Sequence, residues 1–192
     1  MFDISIVIVN WNTKNYLKKC IESIVENTQN WHVEIIVVDN ASTDGSQKML
    51  LDKFPQVKLI QNEANYGFAK ANNIGIRQSA GQYLCLINSD VKILTGCFDK
   101  IMGYIHQHPE IGILGPMMLN SDKSLQRTCR EYPTLWNTFC RAVALDILFP
   151  KTKLFDGRLM TYWSHDTNRI VDVINGCFWM VKREALEEVG LL

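Results

Sequence analysis

Asp39 is followed by Asn40 and the turn Ala41-Ser42-Thr43-Asp44-Gly45. An ionised carboxylate there can accept the imide N–H of a uracil or thymine ring, a hydrogen bond to a charged acceptor worth about 1.5–3 kcal/mol. It can equally cap the turn and the helix behind it. Asn88-Ser89-Asp90 supplies a second carboxylate, Asp90, straight after an apolar run. One carboxylate with diphosphate oxygens and waters is a common way to hold Mg²⁺ or Mn²⁺, although a plain turn at a strand end would use the same residues. A third group is Asn65-Tyr66-Gly67-Phe68-Ala69. Its glycine lets backbone approach a ligand, and a helix starting here offers free N–H groups to a phosphate. Asn72, Asn73 and Gly75 then break the apolar face of that helix. Close helix–sheet packing through Gly67 and Gly75 is the other reading.

These groups gain meaning from the elements that must carry them. Apolar runs at 4–9, 35–38, 57–60 and 83–87 end in Asn10, Asp39-Asn40, Gln61-Asn62 and Asn88-Ser89-Asp90. Helix-length stretches separate them, so the pattern is β-α-β-α-β-α-β, an open α/β sheet. Such sheets bind ligands outside the carboxyl ends of their strands. The spacing predicts helices over 14–27, with Asn12 or Thr13 as cap and Tyr16, Leu17, Cys20, Ile21, Ile24 and Val25 as the buried stripe, and over 46–54, closed by Pro55. A third helix runs from 65–67 to 79, with Gly81 as its C-cap. Beyond Asp90 the pattern loosens. Helices are expected at 98–108 and 136–149, strands at 111–114, 171–174 and 178–181, and a helix start at 183–189. The segment 121–133 reads as a polar, basic loop or β-ribbon, and 151–169 as a loop without period. One domain is expected, with 1–95 as its nucleotide-binding half and 96–192 as its acceptor-side half.

The composition narrows the class. The 192 residues are 47% hydrophobic, and twenty basic side chains balance twenty acidic ones, so nothing in the total charge calls for nucleic acid or an anionic membrane. Six cysteines without paired spacing suit free thiols in a reducing compartment. The opening Met-Phe-Asp has neither a basic leader nor an apolar core, and no apolar stretch is long enough to span a membrane. A cytoplasmic protein is expected. The helix at 136–149 can touch the inner face of a membrane, but its Arg141 and Asp146 suit an ordinary surface helix, which is the preferred reading. No Gly-x-Gly-x-x-Gly follows Val9, which argues against a dehydrogenase, and 10–14 lacks the basic glycine-rich loop of a nucleotidyltransferase.

The residues 37–46, Asn65-x-Gly67-Phe68-Ala69-x-Ala71-x-Asn73-x-Gly75 and Leu86-Ile87-Asn88-Ser89-Asp90 together resemble, in order and spacing, the family 2 glycosyltransferases. Within that family the similarity is to rhamnosyltransferase-like members of bacterial polysaccharide synthesis. Ile6-Val7-Ile8-Val9-Asn10-Trp11-Asn12 and the later Gly176-Cys177-Phe178 with Arg183-Glu184-Ala185 extend it over nearly the whole chain.

The resemblance implies a GT-A fold, a Rossmann-like, mostly parallel open sheet with helices on both faces. It also implies inverting, hexosyltransferase-type transfer from a UDP- or dTDP-sugar, dTDP-rhamnose among them, to a saccharide or lipid-linked acceptor. By the same carry-over Asn10, Trp11, Asn12, Asp39 and Asn40 surround the base, Asn65, Gly67, Asn73, Asn88 and Ser89 line the donor site, and Asp90 ligates Mg²⁺ or Mn²⁺. Asn88 stands where many relatives have a first Asp, and Asn72 where others often have Arg. On the acceptor side Arg127, Gly176 and Trp179 are candidates. Arg127, with Arg130, can swing over the diphosphate or remain a solvated loop, and Trp179 can stack on a sugar or pack in the core. His165 and Asp166 can flank an acceptor or lie on the surface. The family's acidic catalytic base would follow the Gly176 segment, and it is expected beyond Leu192. A non-catalytic nucleotide-sugar binding module is the alternative.

Overall fold

The computed structural model describes residues 2–155 and 158–192; Met1 and, from the loop read at 151–169, Asp156 and Gly157 lie outside it. The described chain forms two compact units, residues 2–114 with Gly176–Leu192, and Gly115–Asn175.

The first unit is built on β1 (Ile4–Asn10), α1 (Lys14–Asn27), β2 (Val33–Asp39), α2 (Ser46–Lys53), β3 (Lys58–Gln61), α3 (Phe68–Arg77), β4 (Tyr83–Asn88), α4 (Cys97–Gln107) and β5 (Ile113–Leu114). The second holds the short β6 (Met118–Leu119), β7 (Leu125–Gln126), β8 (Cys129–Arg130), α5 (Leu135–Ala142), α6 (Leu145–Leu148) and β9 (Val173–Ile174). The chain then returns to the first through β10 (Phe178–Lys182) and α7 (Arg183–Val189). More of the second half therefore joins the strand-and-helix unit than a boundary at residue 95 expects.

The six-stranded sheet has the order β3-β2-β1-β4-β10-β5. Its first four strands are parallel, and β10 runs antiparallel to both β4 and β5. Parallel strands covered on both faces read as unbroken apolar runs, and β1 and β4 are buried along nearly their whole length. Val7, Ile36, Val38, Leu84, Leu86 and Val181 share a core with Ala71 and Ile76 of α3. Alternation turns Ile6, Val37, Cys85 and Ile87 to the other face. There Cys85 lies near Cys20 of α1 and Cys97 of α4, and Phe98 lies 6.2 Å from Phe178 between ring centroids. Helices thus cover both faces, as the sequence implies.

Several local expectations change. In α1, Leu17, Cys20, Ile21 and Ile24 are buried, but Tyr16 is 62% exposed and Val25 41%. Thr13 is the N-cap residue without capping through its side chain; Asp44 accepts from the Lys14 N–H at 2.8 Å instead. Gly81 is not the C-cap of α3, which is Gln78. A Cβ on Gly81 would lie 2.5 Å from the Ser5 backbone nitrogen, so glycine is there for close approach. Gly75 allows α3 onto the sheet in the same way, since a Cβ there would meet Val7 at 2.4 Å. The helix expected at 136–149 is two, α5 and α6, parted where Ala144 takes φ +58°.

Candidate active site

Adjacent parallel strands in register set their carboxyl ends side by side. Asn10 pairs with Asp39, Asp39 with Gln61, and Val9 with Asn88. A cavity of about 520 Å³ opens at this edge, lined by Val9, Trp11, Thr13, Tyr16, Asn40, Asn65, Gly67, Phe68, Asn88, Ser89 and Asp90. Of the residues expected to bind donor, Trp11, Asn40, Asn65, Gly67, Asn88, Ser89 and the metal candidate Asp90 share this wall.

Asp39 does not. It is fully buried. One oxygen accepts from Asn10 Nδ2 at 2.7 Å, and the other from the Ser42 N–H at 2.8 Å and Gln47 Nε2 at 2.7 Å. Asn10, also fully buried, accepts from Thr13 Oγ1 at 2.7 Å. Thr13 Oγ1 lies 2.7 Å from Ser89 Oγ. The single Thr13 proton is directed to Asn10, so Ser89 donates to Thr13. A continuous chain of hydrogen bonds therefore runs from Asp39 to the residue before Asp90.

Asn12, at φ +54°, braces the 41–45 turn: its N–H donates to Ser42 Oγ at 2.9 Å and its Oδ1 accepts from the Thr43 N–H at 2.8 Å. Asp44 closes the same turn. Burial opposes ionisation there, but donation from the Ser46 hydroxyl and from the Lys14 and Ser46 amides outweighs it and holds the carboxyl below its usual range. On the far wall, Asn40 Nδ2 donates to Asn65 Oδ1 at 3.1 Å and to the Gly67 carbonyl at 3.4 Å. Asn40 Oδ1 accepts from Asn62 at 2.8 Å. Gly67, at φ +76°, donates its N–H to Asn65 Oδ1 at 2.9 Å.

Asn73 lies off the wall, bonded through both side-chain atoms to the Leu192 backbone. Gly176 and Trp179 stand behind the wall rather than on it. A Cβ on Gly176 would come 3.2 Å from Phe68 and 3.5 Å from Trp179, and the Phe68 and Trp179 rings meet edge to face at 6.4 Å. In the second unit, Arg127 donates to the carbonyls of Met160 and Trp163, each at 3.0 Å, and of Thr161 at 3.3 Å. These bonds clasp a turn, where the sequence leaves the guanidinium to swing over the diphosphate, meet an anionic acceptor or stay solvated. Arg130 lies in β8, and His165 stacks on Trp163 at 4.0 Å.

Sequence reasoning missed Tyr16 and Phe68 as lining residues and knew Thr13 only as a cap. Tyr16 sits at the rim of the α1 stripe, where the helical period cannot separate core from cleft.

Among the described residues no three His, Cys, Asp or Glu side chains cluster as a metal cage. Asp90 is exposed and flanked on the wall by Asn88 and Ser89. That donor set fits a divalent ion that takes most of its oxygens from a bound diphosphate and water.

A family model described as Glycosyl transferase family 2 matches residues 5–190. The chain belongs to the family 2 glycosyltransferases. It is 27% identical over 200 residues to the N-acetylglucosaminyl-diphospho-decaprenol L-rhamnosyltransferase of Mycobacterium tuberculosis, covering 96% of this chain and 63% of that protein. It is 37% identical over 116 residues to glycosyltransferase GlyG of Streptococcus pneumoniae, covering 58% of this chain and 38% of that protein. The mannosyltransferase PcManGT from Pyrobaculum calidifontis, in complex with GDP-Man and Mn²⁺, matches the whole chain with a TM-score of 0.62 at 16% identity, over 49% of its own length. S. aureus TarS 1–349 in complex with UDP-GlcNAc matches 92% of this chain and 57% of its own with a TM-score of 0.59 at 19% identity. These structural likenesses establish the GT-A fold. The chain spans less than two thirds of the length of these relatives.

Proposed function

We propose that the chain carries the donor site of an inverting glycosyltransferase that moves a sugar from a UDP- or dTDP-sugar, dTDP-rhamnose among them, to a saccharide or lipid-linked acceptor in bacterial polysaccharide synthesis. The observation that carries this is the composition of the cavity: three aromatic rings, a row of amides and hydroxyls, and Asp90 as the sole carboxylate among its described lining residues.

Trp11, Tyr16 and Phe68 give flat faces for a base or a sugar ring. Asn40, Asn65, Asn88 and Ser89 give hydroxyl-directed hydrogen bonds, and Gly67 leaves room for backbone contact. Asp39 reads the base by exchange: an imide N–H takes the place on the carboxylate that the half-buried Gln47 amide fills in the free chain. Asp90, with donor diphosphate oxygens, would hold Mg²⁺ or Mn²⁺. Bound there, the ion would neutralise charge gathering on the leaving diphosphate.

The acceptor hydroxyl also needs a general base. The resemblance to the family places that base in an acidic segment after Gly176, expected downstream of Leu192. The chain alone then binds donor with weak or no transfer. A lipid-linked acceptor would set the protein at the cytoplasmic face of a membrane. The lack of a second wall carboxylate also favours one other reading, a nucleotide-sugar binding module without transfer.

Titration calorimetry with UDP and dTDP, with Mn²⁺ or with EDTA, tests the donor site. At least one nucleotide should bind, about tenfold more weakly in EDTA, and Asp90→Asn should bind alike in both conditions, as loss of one charged contact predicts. A folded chain that ignores both nucleotides defeats the proposal. Transfer by a C-terminally extended protein separates an enzyme from a binding module.

A further inference from the structure

The second unit bears an apolar surface that none of its described residues covers. α5 begins with a complete capping box, in which Thr134 and Asn137 exchange hydrogen bonds. At 100° per residue, Leu135, Trp136, Phe139 and Val143 fall within about 100° of arc, with Asn137, Thr138 and Arg141 around the rest. Leu135 is 93% exposed, Ile147 of α6 75% and Leu148 67%. Aromatic contacts link Trp136, Phe139, Phe149 and Phe155 in the same part of the chain. Trp136 stacks on Phe139 at 5.9 Å, and Phe155 lies 6.5 Å from Trp136 and 5.2 Å from Phe149. The Trp136 N–H is satisfied inside the unit by the Leu154 carbonyl at 2.9 Å, so its half-exposed ring needs no polar partner outside. An apolar patch of this extent marks an interaction surface.

The charges around it select the partner. Between 135 and 155 there are three cations, Arg141, Lys151 and Lys153, and one anion, Asp146. Lys151 and Lys153 are exposed. Asp146 has a side chain only 12% exposed and lies 3.7 Å from Arg141. Within 135–155 the exposed charge is therefore positive. Two copies of this face would bring two faces of the same positive charge together in a two-fold contact. An anionic lipid surface meets both properties together, with apolar side chains at the acyl boundary and lysines among the headgroup phosphates.

We propose that α5, α6 and the segment 149–155 form a membrane-docking face for anionic lipid. The proposal rests on the transferase reading only for its purpose, the delivery of the donor site to a lipid-linked acceptor.

Co-sedimentation with vesicles of phosphatidylcholine, or of phosphatidylcholine doped with phosphatidylglycerol, tests it without acceptor. The chain should pellet with doped vesicles at low salt and be released by high salt. Lys151→Glu with Lys153→Glu should weaken binding by at least roughly fivefold for each cation removed. Ile147→Ser with Leu148→Ser should abolish it, while circular dichroism and UDP binding stay unchanged. A wild-type chain that ignores doped vesicles overturns the proposal, as do variants that bind like wild type. A dimer dissolved by the Ile147→Ser and Leu148→Ser pair assigns the face to a second copy and overturns it too. Vesicle binding by a folded chain that fails to bind UDP or dTDP defeats the donor-site reading and leaves the docking face standing.

Discussion

The hydroxyls of Thr13 and Ser89 meet at 2.7 Å, 76 residues apart in sequence, and through Asn10 they tie the buried Asp39 to the loop that presents Asp90. Thr13→Val removes the acceptor of a buried serine and the donor to a buried asparagine. An unsatisfied buried polar group costs about 1–3 kcal/mol. Thr13→Val should lose that much stability in urea denaturation and weaken Mn²⁺-dependent UDP or dTDP binding, while Thr13→Ser should restore both. Equal nucleotide binding by wild type and Thr13→Val would show that the chain of hydrogen bonds does not position Asp90.

Gln47 offers a test of how Asp39 meets a base. Its amide donates to Asp39 at 2.7 Å, and under the exchange proposed here a nucleotide must displace it. Gln47→Ala should tighten UDP or dTDP binding, by up to about tenfold given the strength of hydrogen bonds to charged groups. Unchanged or weaker binding in calorimetry would mean that Asp39 keeps its internal partners and serves the fold alone.

Two glycines should respond to alanine with opposite signs. At Gly81 the new Cβ meets backbone of Ser5 at 2.5 Å, and backbone cannot rotate away, so Gly81→Ala should cost about 2 kcal/mol or more. Gly103, inside α4, has nothing within 4 Å of an added Cβ. Gly103→Ala should add about 0.5–1 kcal/mol through helix propensity. Thermal melts of both variants decide it.

Two thiols, the buried Cys20 and the half-buried Cys97, set a pH dependence. Burial, and then the Asp90 carboxylate, push Cys20 up to about 12. Burial pushes Cys97 up to about 11, against the pull of Lys100. A thiol reacts as thiolate, and raised values keep both protonated through neutral and mildly basic pH. Iodoacetamide labelling of the folded chain at these sites should stay negligible up to about pH 9 and become fast once urea unfolds it. Rapid labelling of Cys20 in the folded state, seen by peptide mass spectrometry, would contradict the burial.

The strand ends were legible because a fully covered parallel strand leaves a run such as 83–87 with no polar residue until its end. The meeting of Asn40, Asn88 and Asp90 follows from that pattern, whereas Asn65, in the loop after β3, is placed with them by the family resemblance. The commitment of Asp39 does not, because Asn10 and Gln47 reach it only after folding and its residue type suits a ligand equally well. Arg127 illustrates the same limit: its carbonyl partners lie 33 to 36 residues away in a stretch without period. The break between α5 and α6 escaped notice because neither Pro nor Gly marks it; Ala144 takes the left-handed turn instead.

β10 fills the sheet between β4 and β5, yet follows them only after Gly115–Asn175 has been made. On the ribosome, the β4 edge therefore stays open while that intervening stretch emerges. An unpaired edge rich in Leu and Ile invites association with other nascent chains. Synthesis of this protein thus has a vulnerable interval that ends when Phe178–Lys182 leaves the exit tunnel.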